Sequence, residues 1–125
     1  MTVIEIRAAA DGLLRSAFEH PVGSRPRRYQ PASGVLDELC RLANEVEVRT
    51  VADSGEWRVV EGRRWLLNRR LDGRSVPLVQ RDHAALVARN WTEARSLAAL
   101  LNWCDTPPPP RRRVGIPALA AGPAG

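Results

Sequence analysis

The sequence has no lysine, and all 19 of its basic residues are arginine. Beside abundant alanine, glycine and proline, this absence is typical of a protein from a GC-rich bacterial genome. The formal net charge is +5 at pH 7, and a basic excess is common in proteins that bind nucleic acids or anionic surfaces. Residues 1–105 carry 16 arginines against 14 acids, a net of +2, because three arginines lie at positions 111–113. The basic bias is therefore modest.

Cysteine is scarce as well, with only Cys40 and Cys104. They form no C-x-x-C pair, which excludes a dense disulfide framework and fits a reducing compartment. Cys40 lies within an apolar helical pattern, where a buried structural thiol is expected. Neither cysteine has His20 or His83 at the short spacing of a zinc motif. The sequence therefore predicts no metal and no cofactor.

Long apolar runs and catalytic signatures are also missing. No run approaches the ~20 residues that span a bilayer, and residues 1–5 lack the basic start and apolar segment of a secretory signal. We therefore expect a cytoplasmic protein with no membrane partner. The sequence contains no phosphate-binding glycine loop, no G-x-S-x-G and no H-E-x-x-H. Asp82 and His83 are adjacent, but neighbours on a strand point to opposite faces, so we expect no enzymatic activity.

Three segments have the apolar period of a helix. The first begins at the capping-box pair Thr2 and Glu5, with a short strand over 3–7 as the alternative; its apolar positions are Val3, Ile6, Ala10, Leu13 and Ala17. The second is predicted to begin at an N-cap on Ser33; its apolar face consists of Leu36, Leu39, Cys40 and Ala43. The third begins at the pair Asn90 and Glu93; its apolar face consists of Trp91, Ala94, Leu97, Ala98 and Leu101.

The segment between the second and third helices has the composition of β-strands. Strands are predicted at 46–52, 56–61, 63–71 and 74–80, separated by turns at 53–55, 61–62 and 72–73. The stretch "HAALVA" (83–88) adds a fifth strand or leads into the last helix. Residues 19–34, rich in proline and glycine, are predicted to be a long loop.

The order of these elements predicts an α+β domain over residues 1–105. An antiparallel sheet of about four strands is expected, flanked by two or three helices, with one sheet face left to solvent or a partner. A winged-helix fold is the alternative. Residues 106–125 begin with four consecutive prolines and contain little large apolar surface. They are predicted to be a tail that is disordered or ordered by a partner, and dispensable for folding.

Arginines cluster in the predicted loop and in the strands, above all in "RRWLLNRRLDGR" (63–74). Arginine contacts phosphates and stacks on bases, so the candidate nucleic-acid-binding residues are Arg25, Arg27, Arg28, Arg58, Arg63, Arg64, Arg69, Arg70 and Arg74. The alternative is that these side chains pair with acids across strands and keep a sheet edge soluble; those acids are Glu47, Glu56, Glu61 and Asp72.

The four tryptophans also have two interpretations. Trp65 and Trp91 are predicted to fill the core. Trp57 and Trp103 either pack in the fold or, with Arg111, Arg112 and Arg113, anchor a protein partner, since Trp and Arg dominate interaction hot spots.

Two functions follow from these patterns. The first is a small nucleic-acid-binding module, which the clustering of arginines favours. The second is a protein-interaction module, such as an inhibitor, adaptor or assembly subunit of a bacterium, its plasmid or its phage. The sequence does not indicate an oligomeric state.

Overall fold

The structure, a computed structural model, describes residues 2–23, 27–46, 55–66 and 69–110, with only the backbone at 23, 63–66 and 69–74. In this part of the chain the elements are α1 (Val3–Ala17), β1 (Pro21–Gly23), β2 (Arg27–Tyr29), α2 (Ser33–Glu45), β3 (Arg58–Leu66), β4 (Arg69–Arg81), β5 (Ala84–Val87) and α3 (Trp91–Trp103). The strands form a sheet in the order β1-β2-β5-β4-β3. The α+β class is therefore confirmed.

The sheet is mixed and has five strands, so the prediction of about four antiparallel strands was only partly right. β2 runs parallel to β5, whereas the pairs β1–β2, β4–β5 and β3–β4 are antiparallel. The two strands missed by the prediction, β1 and β2, lie within the expected loop 19–34. Three residues are too few to show an alternating pattern, and the prolines and glycine around them favoured a loop. The winged-helix alternative is not confirmed.

The turns predicted at 61–62 and 72–73 are wrong, because both lie inside strands. Gly62 is within β3, where an added Cβ would collide with Leu78 Cδ1 on β4. Gly73 is within β4, opposite a register shift between Arg63 and Trp65. Glycine in a strand often marks close packing or a bulge. The pairing of β3 with β4 continues past both glycines as far as Leu66 and Arg69. The predicted strand 46–52 lies outside the described residues from position 47 onward.

Each helix begins close to its predicted start. Thr2 and Glu5 form the reciprocal capping box of α1. The N-cap of α2 is Ala32 rather than Ser33, and it makes no side-chain capping bond. Asn90 Oδ1 accepts a hydrogen bond from Glu93 N over 2.8 Å. The Glu93 carboxylate accepts a hydrogen bond from the backbone N–H of Arg89 instead of from that of Asn90, as a capping box would require.

The core lies between the helices and one face of the sheet. Leu97 and Leu101 of α3 have no exposed surface, as the sequence predicted. Trp91, by contrast, is 44% exposed, and its prediction as a core residue was wrong. It is the first residue of α3, where the buried side is formed by Glu93 and Ala94.

The other face of the sheet, called the outer face here, points away from this core. The strand register aligns four residues across it, from β2 to β3, in the row Arg28, Ala85, Gln80 and Arg58. The next row consists of Val87, Leu78 and Val60. The three described helices pack against the opposite face.

The chain after α3 stays in contact with the body of the fold. The Thr106 carbonyl accepts hydrogen bonds from Trp57 Nε1 over 2.7 Å and from Arg81 Nη1 over 2.9 Å. His83 Nε2 lies 2.6 Å from the Pro109 carbonyl oxygen, which can only accept, so this ring nitrogen carries the hydrogen. These contacts connect the first residues of the predicted tail to the end of the sheet.

Two truncations test where the folded body ends. A chain ending at Asp105 is expected to lose about 1–3 kcal/mol of unfolding free energy, because the Trp57 indole N–H loses its acceptor. A chain ending at Pro110 keeps that acceptor and is expected to match the full-length chain in urea unfolding. Equal stability of both truncated chains would show that residues 106–110 contribute nothing, as the boundary at residue 105 predicts.

Candidate nucleic-acid interface

The β3–β4 hairpin extends past the rest of the sheet. β5 pairs with β4 only from Leu78 to Arg81, whereas β3 stays paired with β4 as far as Leu66 and Arg69. Residues 62–66 and 69–76 therefore form a two-stranded segment, called the ribbon here. At ~3.4 Å per residue, β3 extends roughly 14 Å from Gly62 to Leu66.

The ribbon carries most of the arginines that the sequence singled out. Its charged residues are one acid, Asp72, and five arginines: Arg63, Arg64, Arg69, Arg70 and Arg74. Only the backbone is described here, and its register pairs Trp65 with Arg70 and Leu66 with Arg69. Because Asp72 and Gly73 lie within β4 instead of in a turn, these arginines are divided between the two strands of the ribbon.

Two further candidate arginines have side chains on the outer face. Arg58 is exposed on β3, and Arg28 is half-buried on β2. Arg28 crosses the face, since its Nη2 lies 3.1 Å from the position that a Cβ on Gly62 would occupy. Burial lowers the pKa of the Arg28 guanidinium below its usual range. The cation of Arg28 therefore lies beside β3, at the base of the ribbon.

Among the described residues, one further candidate arginine, Arg27, does not lie on this surface. Arg27 pairs with Ala84, a core residue, and so lies on the helix-facing side of the sheet. Arg25, Arg111, Arg112 and Arg113 lie outside the described residues. Arg28 and Arg58 thus share the outer face of the sheet that continues into the ribbon, whereas Arg27 lies on the opposite face.

Trp57 is placed in the core rather than at a partner surface. Its ring has no exposed area and lies 5.8 Å from the Phe18 ring centroid. Its backbone N–H donates to Asn102 Oδ1 over 2.8 Å, and its carbonyl accepts from Asn102 Nδ2 over 3.0 Å. The Asn102 amide thereby pairs with Trp57 as a neighbouring strand would, which leaves no ring surface for the predicted partner contact.

Trp103, the other predicted anchor, is half-buried and already in contact with a cation. The Arg7 guanidinium lies 4.7 Å from the centroid of its ring. Arg7 Nη2 also donates to the Trp103 carbonyl over 3.5 Å. This contact joins α1 to the end of α3.

An ionic cluster between α2 and α3 was not foreseen from the sequence. Arg89 Nη2 donates to Asp37 Oδ1 over 2.6 Å, and Arg89 Nε donates to Glu93 Oε2 over 3.0 Å. Burial alone would raise the pKa of Glu93, but its bonds with Arg89 leave it lowered from 4.5. Burial, with Glu93 nearby, raises the pKa of the Cys40 thiol to about 11. Cys40 is thus a structural thiol that stays protonated, as its position in the helix pattern suggested.

The described residues contain neither a metal-binding cluster nor a membrane-spanning helix. No cluster of three or more His, Cys, Asp or Glu side chains there could hold a metal ion. No helix in the described ranges has the length and hydropathy to cross a membrane.

Comparisons with known proteins identify no relative. No protein-family description matches the chain, and no curated protein or solved structure matches it either.

Proposed function

We propose that this protein is a small non-enzymatic module that binds nucleic acid through its arginine-rich ribbon. The observation that carries the proposal is the pairing of β3 with β4, two strands that in the ribbon carry five arginines and one acid. A two-stranded ribbon is narrow enough to enter the major groove of B-form DNA. Arginine suits this role because its planar guanidinium binds phosphate in a bidentate manner and stacks on bases.

The alternative role for these arginines, pairing with acids across strands, has limited support at the ribbon. Residues 62–76 contain only Asp72 as a partner acid for five arginines. Glu61, another acid considered, pairs with Pro77 at the base of the ribbon. One acid within the ribbon cannot neutralise five arginines, so the ribbon keeps a net positive charge for contact with phosphates.

The test replaces three ribbon arginines in the full-length chain. We expect Arg64→Gln, Arg69→Gln and Arg70→Gln together to weaken binding to labelled DNA by about 10- to 100-fold, at two- to fivefold for each exposed ion pair. The dependence of log Kd on log salt should fall by up to ~2.7, because each neutralised phosphate contributes ~0.9. Fluorescence anisotropy at two salt concentrations measures both quantities.

A matched triple variant separates position from net charge. Arg15→Gln, Arg41→Gln and Arg95→Gln also remove three positive charges, one from the exposed surface of each helix. This variant should retain nearly wild-type affinity. An equal loss of affinity in both triple variants would mean that binding depends on net charge and not on the position of the ribbon arginines. Wild-type binding no tighter than ~10⁻⁴ M near physiological salt would contradict the proposal, and the protein-interaction module would then take its place.

A further inference from the structure

Resting on the proposed function, we infer that the ligand is duplex DNA, bound along β3 with the ribbon in the major groove and with Arg28 and Arg58 on the flanking backbone. Three features of the described residues carry this inference: the line of cations along β3, the side chains of the outer face, and the width of the ribbon.

Arginines lie along β3 from its first residue to position 64. Arg58 begins the strand, the Arg28 guanidinium lies beside Gly62, and Arg63 and Arg64 follow directly. The six residue steps from Arg58 to Arg64 span roughly 20 Å at ~3.4 Å each. Since B-form DNA rises ~3.4 Å per base pair along each strand, this line matches about six base pairs. A regular polyanion of this length is the ligand that such a line fits.

The residue at position 62 explains how Arg28 reaches this line. Arg28 starts on β2, which is separated from β3 by the two strands β5 and β4, and its side chain lies on the outer face. A Cβ at Gly62 would lie against the guanidinium and collide with Leu78. The glycine therefore leaves the space in which Arg28 lies beside the outermost strand.

The described side chains of the outer face are not those of a sheet that binds single-stranded nucleic acid. Sheets that bind single strands stack successive bases on aromatic rings. Among the described side chains, the residues of the outer face are aliphatic, polar or cationic: Arg28, Ala85, Gln80, Arg58, Val87, Leu78, Val60 and Val76. Phe18, Tyr29 and Trp57 all belong to the core side instead. Backbone contact therefore fits this face better than base stacking.

The ribbon distinguishes DNA from RNA duplexes. The major groove of B-form DNA is ~12 Å wide and admits a two-stranded ribbon. The major groove of A-form RNA is deep and narrow, and protein side chains do not reach its bases. A ribbon with arginines on both strands fits only the first of these grooves.

The experiment compares three probes and two single variants of the full-length protein. The probes are a labelled 16-base-pair DNA duplex, one of its strands, and an RNA duplex of the same sequence. We expect the DNA duplex to bind at least tenfold more tightly than either other probe. Arg58→Gln should weaken duplex binding about two- to fivefold and lower the salt dependence by ~0.9.

Arg95→Gln is the matched control, because it removes one exposed arginine from α3, which packs against the opposite face. Arg28→Gln should act as Arg58→Gln does, with partial rescue by Arg28→Lys, and thermal unfolding checks that each variant is folded.

Two results separate the failure of this inference from the failure of the proposed function. If no probe binds more tightly than ~10⁻⁴ M, both fail together. If the ribbon triple variant loses binding but Arg58→Gln behaves as Arg95→Gln does, the nucleic-acid function stands and the outer-face contact is overturned. Equal or tighter binding of the single strand or the RNA duplex would overturn the assignment to duplex DNA.

Discussion

Replacing Trp57 with alanine is expected to lower the free energy of unfolding by about 3–5 kcal/mol, the range for removing a large aromatic ring from a core. The indole has no exposed surface, and its Nε1 donates to the Thr106 carbonyl. The variant would therefore leave a large cavity and also release the segment that follows α3. Urea unfolding followed by circular dichroism measures the loss.

Trp57→Phe is the control for this prediction. Phenylalanine fills most of the cavity but cannot donate the hydrogen bond, so a loss of about 1–2 kcal/mol is expected. The ordering of the two variants checks the placement of the ring. A loss below 1 kcal/mol for Trp57→Ala would mean that the ring is at the surface, where the partner-anchor interpretation had placed it.

The second large effect is expected at Leu97, in the middle of α3. Leu97→Ala should cost about 2–5 kcal/mol, because the side chain is fully buried in the main core cluster. Arg95→Ala is the matched control, since it introduces the same residue two positions earlier on the exposed side of the helix.

The control should change stability by no more than about 0.5 kcal/mol. The comparison is read from the urea midpoints of the two variants at unchanged slope. Similar midpoints for Leu97→Ala and Arg95→Ala would contradict the packing of α3 against the sheet.

Local signals predicted the helices well. The Thr2–Glu5 and Asn90–Glu93 pairs determine where two helices begin, because capping satisfies free N–H groups within one turn of chain. Leu97 and Leu101 are buried as their spacing indicated. The same reasoning failed at Trp91, because an apolar residue in the first turn fits the helical period without lying over the core.

Turn signals were misleading in the hairpin. Asp72-Gly73 is favourable for a tight turn, yet both residues lie within β4. A glycine that meets the steric demands of a bulge or of close packing has the same sequence signature as one in a turn. Only the pairing of β3 with β4 distinguishes the two, and it continues past Gly73 as far as Leu66 and Arg69.

The sequence by itself determined the α+β class, the three helices with their buried faces, and the clustering of arginine in residues 63–74, because each depends on neighbours within a few positions. Tertiary structure decided the parallel pairing of β2 with β5, the burial of Trp57 against Asn102 and Thr106, and the reach of Arg28 to Gly62. These contacts join residues 34 to 57 positions apart. Their free energy comes from packing and hydrogen bonds that exist only once the chain is folded, so no local pattern encodes them.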